Sequence, residues 1–121
     1  MLGTVLHAPG DVRCEHVPEP EILQPTDAII RLAASCICGS DLWPYRGLND
    51  ITAPMHMGHE YCGVVVEVGA AVTTVRPGQF VVGSFCLSDN TCPHCRHGFQ
   101  SSCEQREFMS GAQAVLARVP L

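Results

Sequence analysis

Apolar and polar residues alternate along the first third of the chain with the two-residue period of β-strands. This pattern predicts short strands at residues 4–7 and 12–17, with a proline–glycine turn signal between them, and a further strand at 28–36. The segment 18–25 carries three prolines and is predicted to be a surface loop. The chain is therefore expected to begin with short strands joined by turns.

The same pattern continues in the rest of the chain, with interruptions that mark other structure. A valine-rich run at 61–68 indicates a buried strand, and further strands are predicted at 79–85 and 114–119. Residues 41–45 suit a single helical turn, whereas residues 88–103 are polar, cysteine-rich and irregular. Many short strands separated by turn signals predict a mainly β fold, either a barrel or a sandwich. No segment shows the strand, glycine-rich turn and helix of a dinucleotide-binding fold.

Composition narrows the classes of function. The 121 residues are enough for one domain, and the net charge of −5, with seven arginines and no lysine, argues against nucleic acid as a partner. No apolar run reaches the roughly 20 residues that a membrane span needs, so no membrane association is expected. The first residues do not resemble a signal peptide, and a cytoplasmic location is expected. The eight cysteines are then expected to be thiols, metal ligands or core residues rather than disulfides.

A cysteine-rich loop carries the strongest local signal for chemistry. Cys92 and Cys95 form a CxxC pair, which places two thiolates on one tight turn, and Cys103 follows eight residues later. Tetrahedral Zn²⁺ readily takes such a set of ligands. A redox CxxC would precede a helix in a βαβ unit, and the sequence shows no such unit. The loop therefore predicts a structural zinc site.

A structural zinc site needs a fourth ligand, and three residues of the loop compete for that role. Asp89 continues the three-residue spacing of the cysteine pair, and its carboxylate oxygen would complete a site of three sulfurs and one oxygen. His94 and His97 are the alternatives. We favour Asp89.

A second constellation of metal-ligating residues is spread over two segments. Cys38, Ser40 and Asp41 follow a predicted strand, and His59 and Glu60 precede the valine-rich strand. A thiolate, an imidazole and carboxylates are the ligand set of a catalytic zinc, which keeps one position open for water or substrate. Asp41 would hold the ring of a ligand histidine, and Ser40 would relay a proton away from a zinc-bound hydroxyl. The alternative from spacing alone is a core cysteine and an ordinary hydrogen-bonded histidine.

The remaining cysteines fall in strand-like patterns. We expect Cys14, Cys36, Cys62 and Cys86 to pack in the core as small apolar residues. No chemical role is predicted for them.

Taken together, these motifs resemble those of the medium-chain, zinc-dependent alcohol dehydrogenase family. The run GHEYCG at 58–63, followed by Gly69 and Val72, matches the zinc signature of that family. The run CGSD at 38–41 is similar to a second family motif, and the loop 92–103 is similar to the structural-zinc lobe. The order and separations of the motifs agree across nearly the whole chain.

The resemblance implies a fold and the ligands of a catalytic metal. The fold would be an N-terminal, mainly β domain of the family, a GroES-like β-barrel with short helical turns and a zinc-binding lobe at about 86–106. The resemblance also implies that Cys38 and His59 ligate a catalytic zinc. Glu60 would be a nearby carboxylate that approaches the metal when water exchanges.

Further roles follow from the same resemblance. Ser40 would be the hydroxyl that passes the substrate proton on, and Asp41 would lie behind the zinc ligands. By their position relative to the motifs, Trp43 and Phe85 would line the substrate pocket. The structural lobe of the family has four cysteines, so Asp89 in the first position is expected to make this zinc site weaker or more labile.

The implied reaction converts an alcohol to an aldehyde or ketone by hydride transfer to NAD or NADP. The family binds the nucleotide in a Rossmann domain, and its third protein ligand to the catalytic zinc also follows the lobe. We expect both to be absent from these 121 residues, which leaves no cofactor-binding residue and a weak catalytic zinc site. The isolated chain is then expected to show no NAD(P)-dependent turnover.

Two kinds of partner follow from that expectation. A separate chain with a Rossmann domain would complete the enzyme, or the exposed apolar face that would pack on such a domain would drive self-association. The alternative function is a zinc-binding GroES-like module, or a relic, without catalysis. A chaperonin-type structural protein is a third reading, but it has no need of the metal-ligating pair Cys38 and His59.

Overall fold

Strands dominate the architecture. The computed structural model describes residues 1–51 and 54–120 and contains, within them, nine β-strands and two four-residue helices. The strands are β1 (Leu2–Ala8), β2 (Asp11–His16), β3 (Ala28–Ser35), β4 (Met55–His56), β5 (Tyr61–Val68), β6 (Phe80–Gly83), β7 (Cys86–Leu87), β8 (Glu107–Phe108) and β9 (Leu116–Val119). The helices are α1 (Leu42–Tyr45) and α2 (Pro93–Arg96), and 3₁₀ turns span Gly39–Asp41 and Gln100–Ser102. In this described part of the chain, no helix has the length and apolar character needed to cross a membrane.

The strands form three antiparallel sheets. One has the order β2-β1-β4, the second has the order β6-β5-β3-β9, and the third pairs β7 with β8. The segment 113–115 joins the two larger sheets, because Thr4 N donates to Gln113 O at 2.8 Å and Leu32 N donates to Val115 O at 3.1 Å. The prediction of a mainly β fold built from short strands is therefore confirmed.

Strand β5 lies inside the four-stranded sheet, between β3 and β6. Along most of its length, buried positions alternate with half-buried ones, and its bounds are the predicted 61–68. Gly63 has no room for a side chain, since a Cβ there would collide with the carbonyl oxygen of Arg31 on β3. The close approach of the two backbones at this point sets the spacing between β3 and β5.

The main core packs against the four-stranded sheet. Its buried members are Ile30, Tyr61, Leu87, Met109, Ala112, Ala117 and Val119, with Leu32 and Val81 packed against them. Removal of such apolar side chains from water is the dominant favourable contribution to folding. Because the core includes Leu87 of β7 and Met109 just after β8, it also anchors the base of the cysteine-rich loop.

Several elements differ in extent from the prediction. The helical turn predicted at 41–45 is a 3₁₀ turn that runs into α1, and the loop predicted at 88–103 contains α2. The strands predicted at 79–85 and 114–119 are shorter than expected. Strands β4, β7 and β8 were not predicted, because a two-residue run shows no periodicity.

The expectation that four cysteines pack in the core is only partly confirmed. Cys86 is buried and Cys62 is half-buried, but Cys14 and Cys36 are exposed, so the expectation was wrong for these two. Cys14 lies on β2, an edge strand whose residues are mostly exposed, and Cys36 lies just beyond the end of β3. A strand-like pattern does not distinguish an edge strand or a strand end from a central, covered strand.

A buried carboxylate ties the start of β3 to β9. The side chain of Asp27 is fully buried, and its Oδ2 accepts hydrogen bonds from the backbone N–H groups of Leu23 and Gln24 at 2.9 Å and from Arg118 Nη1 at 3.0 Å. Burial opposes ionisation, but these donors outweigh it, and the pKa of Asp27 lies below its ordinary value. Asp27 is therefore ionised within the fold at neutral pH.

Candidate functional site

Strands β7 and β8 form the neck of a cysteine-rich lobe, which we define as residues 88–106. The two strands pair with each other, so the lobe leaves the body of the fold and returns to it at adjacent positions. Within the lobe, helix α2 begins with Pro93 directly after Cys92. Proline suits the first position of a helix, and the turn that follows brings Cys95 back beside Cys92.

Four metal-ligating side chains converge in the lobe, namely Asp89, Cys92, Cys95 and Cys103. One ligand atom from each lies within 4.8 Å of all the others. Cys92 Sγ lies 3.6 Å from Cys95 Sγ and 4.0 Å from Cys103 Sγ. Asp89 Oδ1 lies 3.6 Å from Cys95 Sγ and 3.3 Å from Cys103 Sγ. All three cysteines are buried, so the cluster is a closed one.

The separations within this cluster suit a tetrahedral zinc ion. Zn–S bonds of about 2.3 Å and Zn–O bonds of about 2.1 Å place two sulfurs about 3.8 Å apart and a sulfur and an oxygen about 3.6 Å apart. The four separations given above run from 3.3 to 4.0 Å and lie close to these values. The donor set and its geometry therefore fit Zn²⁺.

Ionisation of the cluster depends on its hydrogen bonds. The hydroxyl and the backbone N–H of Thr91 hold the pKa of Asp89 well below its usual range. Backbone N–H groups of Glu104 and Cys95 lower the pKa of Cys92 to about 7. Burial raises the pKa of Cys95 to about 12, and the neighbouring thiols act in the same direction. A set of three thiolates beside the carboxylate therefore requires a cation to balance its charge.

The two histidines of the lobe lie outside this cluster. His94 Nδ1 is hydrogen bonded to Ser102 O at 2.6 Å, and His97 Nδ1 is hydrogen bonded to Pro93 O at 2.7 Å. Both side chains are exposed, and neither belongs to the group of converging ligand atoms. Of the three residues that the sequence allowed as a fourth ligand, Asp89 is the one that lies beside the three cysteines.

A second group of metal-ligating side chains lies where β3 ends and β5 begins. These strand ends are adjacent because Ser35 pairs with Tyr61 in the antiparallel ladder. Cys38 follows β3, and His59 and Glu60 precede β5, with one ligand atom from each of the three within 4.8 Å of the others. Thiolate, imidazole and carboxylate are a donor set that zinc accepts with an exchangeable position left open.

Asp41 and Ser40 contact the histidine of this second group from two sides. Asp41 is buried, its Oδ2 accepts a hydrogen bond from Cys38 N at 2.8 Å, and its Oδ1 lies 3.4 Å from His59 Nδ1. Ser40 Oγ is hydrogen bonded to His59 Nε2 at 3.2 Å. Asp41 therefore restrains both the imidazole ring and the backbone that carries the thiol. A metal on Nε2 would take the place of the hydrogen bond to Ser40.

Aromatic side chains border the second group. The rings of Phe85 and His59 form a T-shaped pair with a centroid distance of 6.3 Å and an interplanar angle of 68°. Phe108, which no sequence pattern singled out, stacks on Phe85 at a centroid distance of 6.1 Å. Phe85 and Phe108 are 52% and 64% exposed, and Trp43 on α1 is 58% exposed. Phe85 and Phe108 therefore leave apolar surface open beside the second group.

Gln113, which no sequence pattern singled out, contacts both segments of the second group. Gln113 N donates to Met57 O at 2.9 Å, and Gln113 Nε2 donates to Cys36 O at 3.2 Å. Gly58 has a φ of +100°, and a Cβ there would collide with Gln113. No local sequence pattern predicts these contacts, because Gln113 and Cys36 are 77 residues apart.

The sequence of this chain is similar to the sequences of known proteins. Residues 24–121 match the family model for the alcohol dehydrogenase GroES-like domain. The chain is 37% identical over 125 residues to zinc-type alcohol dehydrogenase B from Aspergillus flavus. The aligned region covers 99% of this chain and 29% of that relative. It is 39% identical over 127 residues to the medium chain reductase/dehydrogenase ucsI from Acremonium sp. Here the aligned region covers 100% of this chain and 44% of that protein. The chain thus spans less than half the length of these relatives.

A solved structure shares the fold. Alcohol dehydrogenase TADH from Thermus sp. ATN1 superposes with a TM-score of 0.92 at 34% identity, covering 99% of this chain and 37% of that one. The resemblance seen in the sequence motifs is thereby confirmed. The family match, the relatives and the shared fold agree, and the chain belongs to the alcohol dehydrogenase GroES-like domain family, as an N-terminal domain of the zinc-dependent, medium-chain type.

Proposed function

We propose that this chain is the zinc-binding catalytic domain of an oxidoreductase that converts an alcohol to an aldehyde or ketone with NAD or NADP. The observation that carries the proposal is the convergence of Cys38, His59 and Glu60, whose ligand atoms lie within 4.8 Å of one another. A hydroxyl and a buried carboxylate contact the same histidine. The names of the relatives support the same chemistry.

Each residue of this candidate catalytic centre has a role that its position supports. Cys38 and His59 would hold the catalytic zinc, and Glu60 would supply a carboxylate beside it. Asp41 holds the imidazole and the backbone of Cys38 in place. Ser40 Oγ, which lies 3.2 Å from His59 Nε2, accepts the proton that the substrate hydroxyl gives up.

Zinc held at this centre would supply a Lewis acid that favours ionisation of the substrate hydroxyl, and NAD or NADP would be the hydride acceptor. Because Ser40 is exposed, its hydroxyl passes the proton on to solvent. Phe85 and Trp43 supply apolar surface for the carbon skeleton of the substrate. Phe85 is the better placed of the two, since its ring lies against His59.

We assign the lobe a structural zinc. Its four donors, Asp89, Cys92, Cys95 and Cys103, fill all the positions of a tetrahedral ion, so none is open for a substrate. The hard oxygen of Asp89 holds zinc less tightly than a thiolate would, so this site is more labile than one with four cysteines.

The exposed apolar surface beside the catalytic centre is evidence for a partner that covers it. Phe85, Phe108 and Ile37, the residue directly before Cys38, are each more than half exposed. Hydride transfer requires that water be kept from the reacting atoms, which an open apolar surface does not achieve. We propose that a nucleotide-binding domain, on the same polypeptide or on a separate chain, covers this surface, or that two copies associate through it.

Metal analysis tests the two zinc sites separately. The chain is expected to hold more zinc at the lobe than at the catalytic centre, where Cys38 and His59 are the two principal protein ligands. Cys38→Ser should lose zinc from the catalytic centre and keep it in the lobe. Cys14→Ser, which changes an exposed cysteine outside both groups, should lose none. Zinc content that is the same in Cys38→Ser and the unmodified chain would contradict the assignment of the centre.

Turnover tests the reaction itself. The chain, joined to or mixed with a nucleotide-binding domain, is assayed with NAD and NADP against primary alcohols, secondary alcohols, polyols and aldehydes. Ser40→Ala is expected to lower kcat on the order of 10²-fold or more, with zinc content unchanged. A protein that binds zinc at both sites but turns over none of these substrates would favour the second candidate function, a non-catalytic zinc-binding module.

A further inference from the structure

The candidate catalytic centre is built from two segments, and one residue from a third segment contacts both. Cys38 lies two residues after Cys36, and His59 lies two residues after Met57. Gln113, in the segment that joins the two larger sheets, is hydrogen bonded to Cys36 and to Met57. Resting on the proposed function, we propose that Gln113 is a positioning residue that sets the separation between Cys38 and His59.

The backbone of Gln113 holds the segment that carries the histidine. Its N–H donates to Met57 O at 2.9 Å, and its carbonyl accepts a hydrogen bond from Thr4 N at 2.8 Å. Met57 N donates to Thr4 O at 3.0 Å, so the three backbones form one network. A Cβ at Gly58 would collide with the backbone of Gln113. The residue directly before the metal-ligating histidine is therefore packed as closely against residue 113 as two backbones allow.

The side chain of Gln113 holds the segment that carries the cysteine. Its Nε2 donates to Cys36 O at 3.2 Å, just beyond the end of β3. Cys36 N in turn donates to Glu60 O at 3.2 Å, so the backbone of the third candidate ligand belongs to the same network. Removal of the side-chain amide leaves the histidine segment fixed by backbone hydrogen bonds and releases the cysteine segment at one point.

Gln113 also lines a cavity behind the centre. The cavity has a volume of about 250 Å³, and Asp41 lies in the same, mostly apolar, wall. Asp41 is the carboxylate that restrains Cys38 and His59. The amide of Gln113 and the carboxylate of Asp41 therefore restrain the two ligand segments from one side.

Co²⁺ binding to the chain, with zinc already in the lobe, tests this role. Co²⁺ at the centre gives a thiolate-to-metal charge-transfer band through Cys38, which reports affinity and geometry without any turnover. Gln113→Met keeps the shape of the side chain and removes the donor. It is expected to weaken Co²⁺ binding at the centre roughly threefold to tenfold and to change the band. Gln24→Met, a change at an exposed glutamine in the loop before β3, is the matched control and should match the unmodified chain.

The outcomes separate this inference from the proposed function. Unchanged Co²⁺ affinity and an unchanged band in Gln113→Met would overturn the role of Gln113 alone. An equal loss of affinity at the lobe and at the centre would indicate a general loss of stability and would also overturn it. If the unmodified chain shows no band that Cys38→Ser removes, then the catalytic centre itself is wrong, and the role of Gln113 is overturned with it.

Discussion

Asp89 Oδ1 lies 3.3 Å from Cys103 Sγ, so a carboxylate and a thiol from opposite ends of the lobe meet at its centre. The two residues are 14 positions apart, and their approach closes the lobe into a compact unit. When both groups are ionised they repel each other, and a cation between them removes that repulsion. Zinc binding at the proposed site is therefore expected to be coupled to the folding of the lobe.

Loss of one lobe thiol should release zinc and loosen the fold. Cys92→Ser is expected to lose the lobe zinc and to lower Tm by roughly 5 °C or more, because the free energy of zinc binding no longer stabilises the folded state. Plasma mass spectrometry and thermal unfolding of the same preparation measure the two effects. Cys14→Ser is the control for loss of a thiol as such. A Cys92→Ser variant that keeps all its zinc would show that the lobe is not a metal site.

Asp89→Cys should change zinc affinity and metal-free stability in opposite directions. A fourth thiolate is a softer ligand than a carboxylate, so zinc affinity is expected to rise about tenfold or more. Without zinc, the variant lacks the hydrogen bonds that Asp89 accepts from Thr91 N at 3.0 Å and Thr91 Oγ1 at 2.6 Å, and its Tm should fall. Competition with a chelator measures the affinity, and unfolding in excess EDTA measures the stability. Equal zinc affinity in the two proteins would argue against Asp89 as the fourth ligand.

Removal of Asp41 should weaken metal binding at the catalytic centre although no metal ligand changes. Asp41→Ala is expected to lower metal affinity there by about 10–100-fold, because His59 and the backbone of Cys38 lose the group that orients them. Asp41→Asn retains an oxygen that accepts from Cys38 N and should lose less. Co²⁺ titration with zinc in the lobe measures both variants, and Asp50→Asn, at an exposed position, is the control. Unchanged affinity in Asp41→Ala would show that the histidine is oriented without it.

The hydrogen bonds of Asp27 should make the stability of the fold depend on pH. The pKa of Asp27 is lowered from its ordinary value of 3.8 in the folded state, because its donors outweigh the effect of burial. The ionised carboxyl therefore contributes stability above pH 3.8, and that contribution is lost as the pH falls toward the folded-state value. Asp27→Asn is expected to cost about 1–3 kcal/mol at pH 7, and the difference from the unmodified chain should shrink at pH 3.

Urea unfolding at the two pH values measures the free energy of unfolding of both proteins. Asp50→Asn serves as the control for loss of a carboxyl, since Asp50 is exposed. A difference between Asp27→Asn and the unmodified chain that is the same at pH 7 and pH 3 would show that Asp27 is not the group that links stability to pH.

Features with a local signal could be predicted from the sequence. Strand β5 has the predicted bounds, because a valine-rich run is typical of a buried strand. The spacing of Cys92 and Cys95 predicts two thiols on one turn, and the structure places them 3.6 Å apart at Sγ. The approach of Cys38 to His59 was less apparent from spacing, and the resemblance to a known family supplied it.

Features that depend on distant segments had no such signal. Cys14 and Cys36 were expected in the core because strand patterns do not report which strands are at an edge. The stacking of Phe108 on Phe85 depends on the pairing of two-residue strands, which are too short to be seen in a sequence. The contacts of Gln113 depend on how the segment 113–115 crosses between two sheets.

Strands β7 and β8 bring the two ends of the lobe side by side, and this arrangement has an evolutionary consequence. An insertion whose ends are adjacent can lengthen, shorten or exchange its ligands without altering the strands around it. The register of β3 against β5, which brings Cys38 to His59, is set elsewhere in the fold. Selection can therefore act on the lobe as a separate unit, and a carboxylate that replaces a thiolate there leaves the other metal-ligating group intact.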